Sequence, residues 1–350
     1  MRATIVGCGL IGGSIGLGLR ANGWQVSVVD LDDEVAKKAV DIGAADMIGS
    51  DELADVTFLA APVGSIPDLA WEALAAGNGL VTDVGSTKAE ICSRVEHDRF
   101  VGGHPMAGSE QDGIDGADAL LFDGSMWVLT PTDATNESTF AGVAAAVRGL
   151  GSEVIALAPE VHDTLVAQVS HVPHLTAAAL MNLADETSGQ HRALLRLAAG
   201  GFRDMTRISS GRPSIWPDIC VANRPAIVDG LDRLIESLSD VRTRVAESDR
   251  DGLLRLLNRA RQARINLPTG HRLAERVAEI AVPIPDRPGE IAAITTLASE
   301  LDVNILDLDI SHSGEGGRGV MLLMVDADLA ERLIGGLMAR SYRPTLRTLD

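Results

Sequence analysis

The chain has 350 residues, more than one domain usually holds, so two or three domains are expected. Apolar residues make up 46% of it but aromatic residues only 3%, a balance that suits helices and parallel strands better than a β-sandwich. The net charge of −19 disfavours nucleic acid and anionic membrane surfaces as partners. No apolar run has the roughly 18 residues of a membrane span, and the three cysteines fit no disulfide or metal spacing. The composition therefore predicts a soluble, cytoplasmic protein.

Short apolar runs alternate with helical stretches over residues 1–158. The predicted strands of this region are Ala3–Val6, Gln25–Val29, Val56–Ala60, Gly79–Thr82, Phe100–Gly102, Met126–Leu129 and Glu153–Ala156. The predicted helices between them include Ile11–Ala21, Asp33–Gly43 and Ser65–Ala76. Strands that alternate with helices indicate a parallel sheet covered on both faces. We therefore expect an α/β domain over residues 1–158.

The strand pattern disappears over residues 159–278, where apolar residues recur every three or four positions. The clearest helical patterns are Val161–Leu183 and Ala226–Glu247, and Pro173 is expected to kink the first of them. Long apolar faces of this kind suit a subunit interface, so we predict an all-helical domain and a homodimer. Residues 279–350 return to strands in the order βαββαβ, which predicts a small ferredoxin-like α+β domain.

A glycine-rich segment, Gly7-Cys-Gly9-Leu10-Ile11-Gly12, lies between the first predicted strand and the first predicted helix. Gly7 permits a tight turn, Gly9 lets a pyrophosphate approach the backbone, and Gly12 lets the helix pack closely on the strand. The helix N-terminus, at Leu10 and Ile11, offers free N–H groups and a positive dipole to phosphates. Because the glycines stand between a strand and a helix, they predict a dinucleotide-binding site.

Asp30 ends the second predicted strand and indicates which dinucleotide binds. A carboxylate there can accept hydrogen bonds from both ribose hydroxyls and would repel a 2′-phosphate, which favours NAD over NADP. Pro62 follows the strand Val56–Ala60 at the carboxyl edge of the sheet, where such ligands bind. The Pro62 segment is equally typical of a plain turn that ends a strand, so both interpretations stay open.

Further segments carry polar side chains with no evident structural role. Asp83-Val-Gly-Ser86-Thr-Lys88 follows the fourth predicted strand, and His104-Pro-Met-Ala-Gly108 follows the fifth. Both are expected at the carboxyl edge of the sheet, beside the cofactor. Ser170-His171-Val-Pro-His174 and Gly200-Gly-Phe-Arg203-Asp-Met-Thr-Arg207 lie in the helical region.

With these segments in this order, the chain resembles the prephenate dehydrogenase family, in its form with a C-terminal ACT domain. The resemblance runs from end to end, and Trp216, Asp218 and Asn223 continue the pattern. It implies a Rossmann NAD-binding domain at 1–158, a helical dimerisation domain at 159–278 and an ACT domain at 279–350. The implied reaction is the NAD-dependent oxidative decarboxylation of prephenate to 4-hydroxyphenylpyruvate, a step of tyrosine biosynthesis.

The resemblance implies that His104 accepts a hydrogen bond, and finally a proton, from the C4 hydroxyl of the substrate. This is general-base assistance by a neutral imidazole, whose pKa we expect near the working pH. Ser86 would orient the hydroxyl, the imidazole and the nicotinamide together. Serine is also common at helix N-caps, and a helix is expected to begin near Lys88, so a capping role for Ser86 stays open.

The resemblance also implies a carboxylate clamp in the helical region. Arg207 corresponds to the family's carboxylate-binding arginine, and Arg203 would share its helix face. His174 matches the position that contacts the pyruvyl side chain, and Ser170, four residues earlier, is taken with it as a substrate contact. No third ligand accompanies His171 and His174, so we predict no metal site.

The C-terminal region resembles ACT domains through Asp286-Arg287-Pro288-Gly289 and its order of elements. Such domains commonly bind amino acids at a subunit interface, which implies an aromatic amino acid as effector; a role limited to strengthening the dimer stays open. The alternative activity is that of an arogenate dehydrogenase, since the two substrates differ only in the side chain. A non-catalytic NAD-binding regulatory protein is a distant alternative, which the presence of His104, Ser86 and Arg207 disfavours.

Overall fold

The computed structural model of the chain describes residues 1–108, 111–188, 197–211, 213–267, 277–285, 287–312 and 318–348. The chain divides into two compact units, Met1–Leu253 and Leu254–Asp350. In the ranges described, no helix is both long and apolar enough to cross a bilayer.

The first unit is built on a sheet of eight strands. In chain order they are β1 Arg2–Val6, β2 Gln25–Val29, β3 Met47–Ile48, β4 Val56–Leu59, β5 Leu80–Asp83, β6 Phe100–Pro105, β7 Met126–Thr130 and β8 Glu153–Ala156. Their order across the sheet is β3-β2-β1-β4-β5-β6-β7-β8. Every neighbouring pair is parallel except β6 and β7, which are antiparallel.

The expectation of a purely parallel sheet is therefore wrong at one pairing. Parallel neighbours need a crossover connection, usually a helix. The described part of the segment that joins β6 to β7 contains only a 3₁₀ turn, Ile114–Gly116, so β7 returns antiparallel to β6. The two-residue strand β3 is too short to show an alternating pattern, and the sequence analysis missed it.

Helices cover both faces of this sheet, as the sequence predicts. They are α1 Leu10–Ala21, α2 Asp33–Asp41, α3 Ile66–Ala76, α4 Ala89–Arg94 and α5 Glu137–Gly149. Phe58 of β4 packs in a core with α1 and α5, whereas Leu59, the next residue, packs in a second core with α3 and α4. Because successive strand residues point to opposite faces, the two cores lie on opposite sides of the sheet.

The rest of the first unit is helical. Its elements are α6 Pro159–Val166, a π-helical turn Ala167–His171, α7 Val172–Ser188, α8 Gly200–Thr206, a 3₁₀ turn Arg207–Ser210, α9 Trp216–Ala222 and α10 Arg224–Ala246; α11 Arg250–Ile265 reaches into the second unit. The predicted helix Val161–Leu183 is thus interrupted beside Pro173. Proline has no N–H for the helical ladder, and the π-helical turn ends two residues before Pro173.

The second unit contains a four-stranded antiparallel sheet. Its elements are β9 Val277–Pro285, α12 Glu290–Glu300, β10 Ile305–His312, β11 Arg318–Asp326, α13 Ala327–Ala339 and β12 Thr345–Thr348, with the sheet order β10-β11-β9-β12. Alternate residues of β9, such as Ile280 and Val282, are buried in one core with both helices. Gly289 precedes α12 with φ +95°, a conformation that favours glycine, whereas Asp286 of the expected turn lies outside the described residues.

A buried ion pair fixes the carboxyl ends of β5 and β6. The side chains of Lys88 and Asp83 are fully buried and paired, and Lys88 Nζ also donates to the carbonyl oxygen of Gly103 at 2.8 Å. Asp83 accepts the backbone N–H groups of Gly85 at 2.8 Å and Gly103 at 3.1 Å. Burying two charges costs several kcal/mol each, and these additional hydrogen bonds offset that cost. Asp83 and Lys88 therefore have a structural role that the sequence analysis did not recognise.

We expect Lys88→Met to lower the free energy of unfolding by about 3–5 kcal/mol, because Asp83 is then buried without its cation. Arg233→Met is the matched control, because Arg233 pairs with Asp229 at the surface of α10. Loss of this surface pair should lower the free energy of unfolding by less than about 1 kcal/mol. Urea unfolding of both variants measures the difference. Equal losses in the two variants would contradict a structural role for the buried pair.

Candidate active site

The three glycines after β1 have different surroundings. Gly7 has φ +93°, and a Cβ on it would collide with the carbonyl oxygen of Ala60. A Cβ on Gly12 would collide with the carbonyl oxygen of Gly7, so this glycine lets α1 pack against the turn. A Cβ on Gly9 would meet no heavy atom within 4 Å. Packing therefore requires Gly7 and Gly12, whereas Gly9 leaves open space before the first turn of α1.

The N-terminus of α1 borders this open space. The helix begins at Leu10, Gly9 is its N-cap, and no side chain caps it. The N–H groups of a first helical turn have no partner within the helix, so those of Leu10 and Ile11 can serve a ligand. This geometry fits the phosphates of a dinucleotide.

Asp30 lies at the end of β2, beside the glycine turn. Its Oδ2 accepts the backbone N–H of Cys8 at 2.7 Å, and its Oδ1 accepts that of Asp32 at 3.0 Å. The carboxylate thus joins the turn after β1 to the end of β2. Each oxygen keeps further acceptor capacity, which ribose hydroxyls can use.

Pro62 lies beyond the carboxyl end of β4. It precedes a 3₁₀ turn, Val63–Ser65, and α9 of the helical part packs against that turn. The Pro62 segment thus lies where the sheet edge meets the helical part of the unit.

Ser86 follows β5, and His104 lies near the carboxyl end of the neighbouring strand β6. His104 is the fifth residue of β6, pairs with Val128 of β7 and is 9% exposed, whereas Ser86 is half-buried. The capping role considered for Ser86 is wrong, because α4 begins only at Ala89 and its N-cap is Lys88. The N-terminus of α4 is capped instead by a carboxylate of α6.

That carboxylate belongs to Asp163, which is 4% exposed. Its Oδ1 accepts the backbone N–H of Lys88 at 2.7 Å, and its Oδ2 accepts that of Ala89 at 2.9 Å. Nδ1 of His162 lies 2.8 Å from the same Oδ1, and Nε2 of His162 lies 2.8 Å from Nδ1 of His104. A continuous buried chain of hydrogen bonds therefore runs from Asp163 through His162 to His104.

The sequence analysis missed His162 and Asp163, although a signal was present. The buried positions of α6 are Pro159, His162, Asp163 and Val166. They have the spacing of an apolar helix face, and ionisable residues occupy two of the four places. Charged or titratable side chains on the buried face of a helix need partners, which indicates a polar site beneath the helix.

Burial lowers the pKa of His104 well below 6.5, and the nearby His162, Lys88 and His171 lower it further. The expectation of a pKa near the working pH is wrong, because the sequence does not show how completely the ring is removed from water. Burial also lowers the pKa of His171, to about 4, although Asp163 opposes this shift. At neutral pH both imidazoles are uncharged, and His104 can accept a proton.

An aromatic cluster in the helical part adjoins the chain of hydrogen bonds that ends at His104. His174 stacks on Trp216 with ring centroids 3.7 Å apart, and His171 meets the same indole edge-on at 6.0 Å. Asn223 Nδ2 donates to the carbonyl oxygen of Asp163 at 2.8 Å and to Nδ1 of His171 at 3.2 Å. Asn223 therefore connects the cluster to the buried chain of His104.

Both arginines lie in segments that pack against α7, the helix that carries His174. Arg203 is exposed near the end of α8, and Arg207 is exposed at the start of the 3₁₀ turn that α7 packs against. Gly211 directly follows this turn, and a Cβ placed on it would lie 3.6 Å from Cε1 of His174. The expectation that Arg203 and Arg207 share one helix face is wrong, because α8 ends at Thr206 and Arg207 begins the 3₁₀ turn. Ser170 is half-buried in the π-helical turn.

Residues 15–156 match the prephenate dehydrogenase nucleotide-binding domain, and residues 158–259 match the prephenate dehydrogenase dimerization domain. The prephenate dehydrogenase of Bacillus subtilis strain 168 is 32% identical over 346 residues, which cover 94% of this chain and 93% of that protein. A relative of this identity and coverage shares the fold and the family.

Solved structures give the same result. The prephenate dehydrogenase of A. aeolicus, in complex with hydroxyphenyl propionate and NAD+, is 29% identical with a TM-score of 0.72, over 77% of this chain and 98% of that chain. The arogenate dehydrogenase of Synechocystis is 29% identical with a TM-score of 0.67, over 77% of this chain and all of that chain, 100%. The chain shares with these relatives an α/β nucleotide-binding domain followed by a helical dimerisation domain. It belongs to the prephenate dehydrogenase family.

Proposed function

We propose that the chain is an NAD-dependent prephenate dehydrogenase that converts prephenate to 4-hydroxyphenylpyruvate. The observation that carries the proposal is the buried, uncharged imidazole of His104 at the carboxyl end of β6. Ligands of open α/β sheets bind at this edge. The edge also carries the glycine turn, Asp30 and Ser86, so a dinucleotide and a small substrate can meet beside the imidazole.

NAD is the cofactor that the residues fit. The backbone around Gly9 and the first turn of α1 would hold the pyrophosphate, and Asp30 would accept hydrogen bonds from the ribose hydroxyls. The NAD+ in the A. aeolicus relative supports this assignment. When bound there, NAD+ would supply the acceptor for the hydride that leaves the carbon carrying the substrate hydroxyl.

His104 takes the proton of that hydroxyl as the hydride leaves the same carbon, and a ring carbonyl forms. The carbonyl draws electrons from the bond to the ring carboxylate, CO2 leaves, and the ring becomes aromatic. The oxygen recovers a proton as the phenol of the product. Ser86 orients the hydroxyl toward the imidazole, and correct orientation of this kind contributes several kcal/mol to lowering the barrier, about 7 or more in the best cases.

Arg207, with Arg203, is proposed to bind the carboxylates of the substrate. Prephenate carries two carboxylates, and a chain with a net charge of −19 needs local cations to attract it. Arginine binds a carboxylate through two parallel hydrogen bonds. His174 and Ser170 are proposed to contact the pyruvyl side chain, and the indole of Trp216 holds the His174 ring in place.

Arogenate is the second candidate substrate, because the Synechocystis relative is an arogenate dehydrogenase. A cyclohexadienyl dehydrogenase of Zymomonas mobilis is also 31% identical over 77% of this chain. The two substrates differ only at the end of the side chain, which is proposed to lie near His174. Comparison of kcat/KM for prephenate and arogenate decides between the two activities.

The second unit is proposed to be an ACT domain that binds an aromatic amino acid. Its βαββαβ order supports this. Glu290, the first residue of α12, accepts hydrogen bonds from Arg287 at 2.6 Å and from Tyr342 at 2.7 Å, so the polar groups at the start of this helix are held in place.

A homodimer in the cytoplasm completes the proposal. The match to a dimerization domain supports the dimer, and so do exposed apolar residues along α10, among them Ile235, Leu238 and Val245. The three cysteines are free thiols in the structure, which suits a reducing compartment.

His104→Asn is expected to lower kcat for prephenate by about 10²–10⁴-fold, because the variant loses its proton acceptor. The Kd for NAD+ should stay unchanged, and NADH absorbance measures turnover. His97→Asn, at the surface beside Trp71, is the matched control and should turn over normally. Near-normal turnover by His104→Asn would contradict the proposed role. An active His104→Asn enzyme would also point to a different base.

The pH profile of the unmodified enzyme provides an independent prediction. His104 must be neutral to accept a proton, and its pKa is lowered well below 6.5 by burial. As the pH falls, log kcat/KM for prephenate should therefore stay level through pH 6.5 and decrease only in more acidic solution. A decrease centred on pH 6.5 would show that the ring titrates like an exposed histidine.

L-Tyrosine is expected to lower the rate of NADH formation and to raise Tm, because a ligand that binds only the folded protein stabilises it. L-Alanine, which lacks the aromatic ring, is the control and should change neither. Rate assays and thermal unfolding measure the two effects. If no aromatic amino acid changes the rate or Tm, the second unit serves only the dimer.

A further inference from the structure

The chain of hydrogen bonds behind His104 is not used in the reaction described above. A neutral imidazole has one N–H and one lone pair, and only the nitrogen with the lone pair can accept a proton. Nδ1 of His104 is engaged by His162, so Nε2 is the nitrogen left for the substrate hydroxyl. The ring of His104 can therefore accept the proton of the substrate hydroxyl only when its own proton lies on Nδ1.

The direction of each hydrogen bond can be read from Asp163. Both of its oxygens accept backbone N–H groups of the α4 N-terminus, which marks the carboxylate as an acceptor. Nδ1 of His162 must then be the donor to Asp163, since two acceptors cannot share a hydrogen bond. A neutral His162 with its proton on Nδ1 has its lone pair on Nε2. Nε2 of His162 therefore accepts from Nδ1–H of His104.

We propose that His162 and Asp163 are positioning residues that set the tautomer of His104, with the proton on Nδ1 and the lone pair on Nε2 facing the substrate. The tautomer follows from this hydrogen-bond geometry when the His162 ring carries a single proton, whereas its importance for turnover rests on the proposed function. The hydrogen bond made by one ring nitrogen commonly selects the tautomer and orientation of a functional histidine.

Several contacts hold the positioning residues in place. His162 is fully buried and Asp163 nearly so, so water does not compete for their hydrogen bonds. Asn223 Nδ2 donates to the backbone carbonyl of Asp163. Lys88, whose N–H binds the same carboxylate, ends the segment that carries Ser86. One carboxylate thus orders the backbone after Ser86 and the ring of His104 together.

Two substitutions of His162 separate the effect of its hydrogen-bond acceptor from the effect of its side-chain volume. In His162→Gln, the side-chain oxygen can reach the place of Nε2 and accept from His104, so the Nδ1–H tautomer and most of kcat should remain. In His162→Leu no acceptor remains, and kcat should decrease by about 10–100-fold, the usual effect of losing such a partner. KM for prephenate and the Kd for NAD+ should be the same in both variants.

Asp163→Asn tests the direction of the chain. In the orientation that keeps the side-chain oxygen on the N–H of Ala89, the amide nitrogen takes the place of Oδ1 and donates to Nδ1 of His162. The proton of His162 then lies on Nε2, and His104 is left in the wrong tautomer. The same exchange in a Ser-His-Asp triad lowers kcat by about 10⁴-fold with its geometry intact. We expect a decrease of at least about 100-fold here, with unchanged Kd for NAD+.

The tautomer itself is measured by long-range ¹H–¹⁵N NMR of the substrate-free, ¹⁵N-histidine-labelled enzyme, with His104 assigned from His104→Asn. We expect His104 protonated on Nδ1 in the unmodified enzyme and in His162→Gln, but not in Asp163→Asn. A proton on Nε2 in the unmodified enzyme overturns the inference, as does full kcat in His162→Leu. Because the NMR measurement needs no substrate, an enzyme inactive on prephenate would refute the proposed function and leave the tautomer result standing.

Discussion

The carboxylate of Asp163 is the contact on which the site depends. It comes from α6 of the helical part, yet it binds the first N–H groups of α4 next to the sheet and faces His162 on its own helix. Because α4 follows the segment of Ser86 and His162 reaches His104, this one group orders both proposed reacting side chains. Beneath it, the buried pair of Lys88 and Asp83 holds the ends of β5 and β6 together.

Burial gives these polar groups their properties. Removal from water lowers the pKa of His104, so the ring stays uncharged although the whole protein is strongly acidic. The same burial makes every unsatisfied polar atom costly, which explains why the chain from Asp163 to His104 is continuous. Stability and reactivity therefore use the same hydrogen bonds, and a substitution along the chain is expected to affect both.

Much of the fold could be predicted because its signals are local. The glycine turn, Asp30 and most strands follow from residues close in sequence, and the βαββαβ order of the second unit was correct. The expectation that β6 and β7 are parallel was wrong, because they pair antiparallel and strand pairing is decided between distant segments. His162 and Asp163 were missed although they have the spacing of a buried helix face, because that spacing does not show which groups the pair contacts until α6 is placed against the sheet. The lowered pKa of His104 likewise depends on burial, which only the folded structure shows.

A crystal structure of the complex with NAD and a phenolic product analogue tests the central claim most directly. The account predicts that Nε2 of His104 lies about 2.6–3.2 Å from the phenol oxygen, while Nδ1 still contacts His162. A phenol oxygen bound by Nδ1, or one beyond hydrogen-bond reach of the ring, would contradict it.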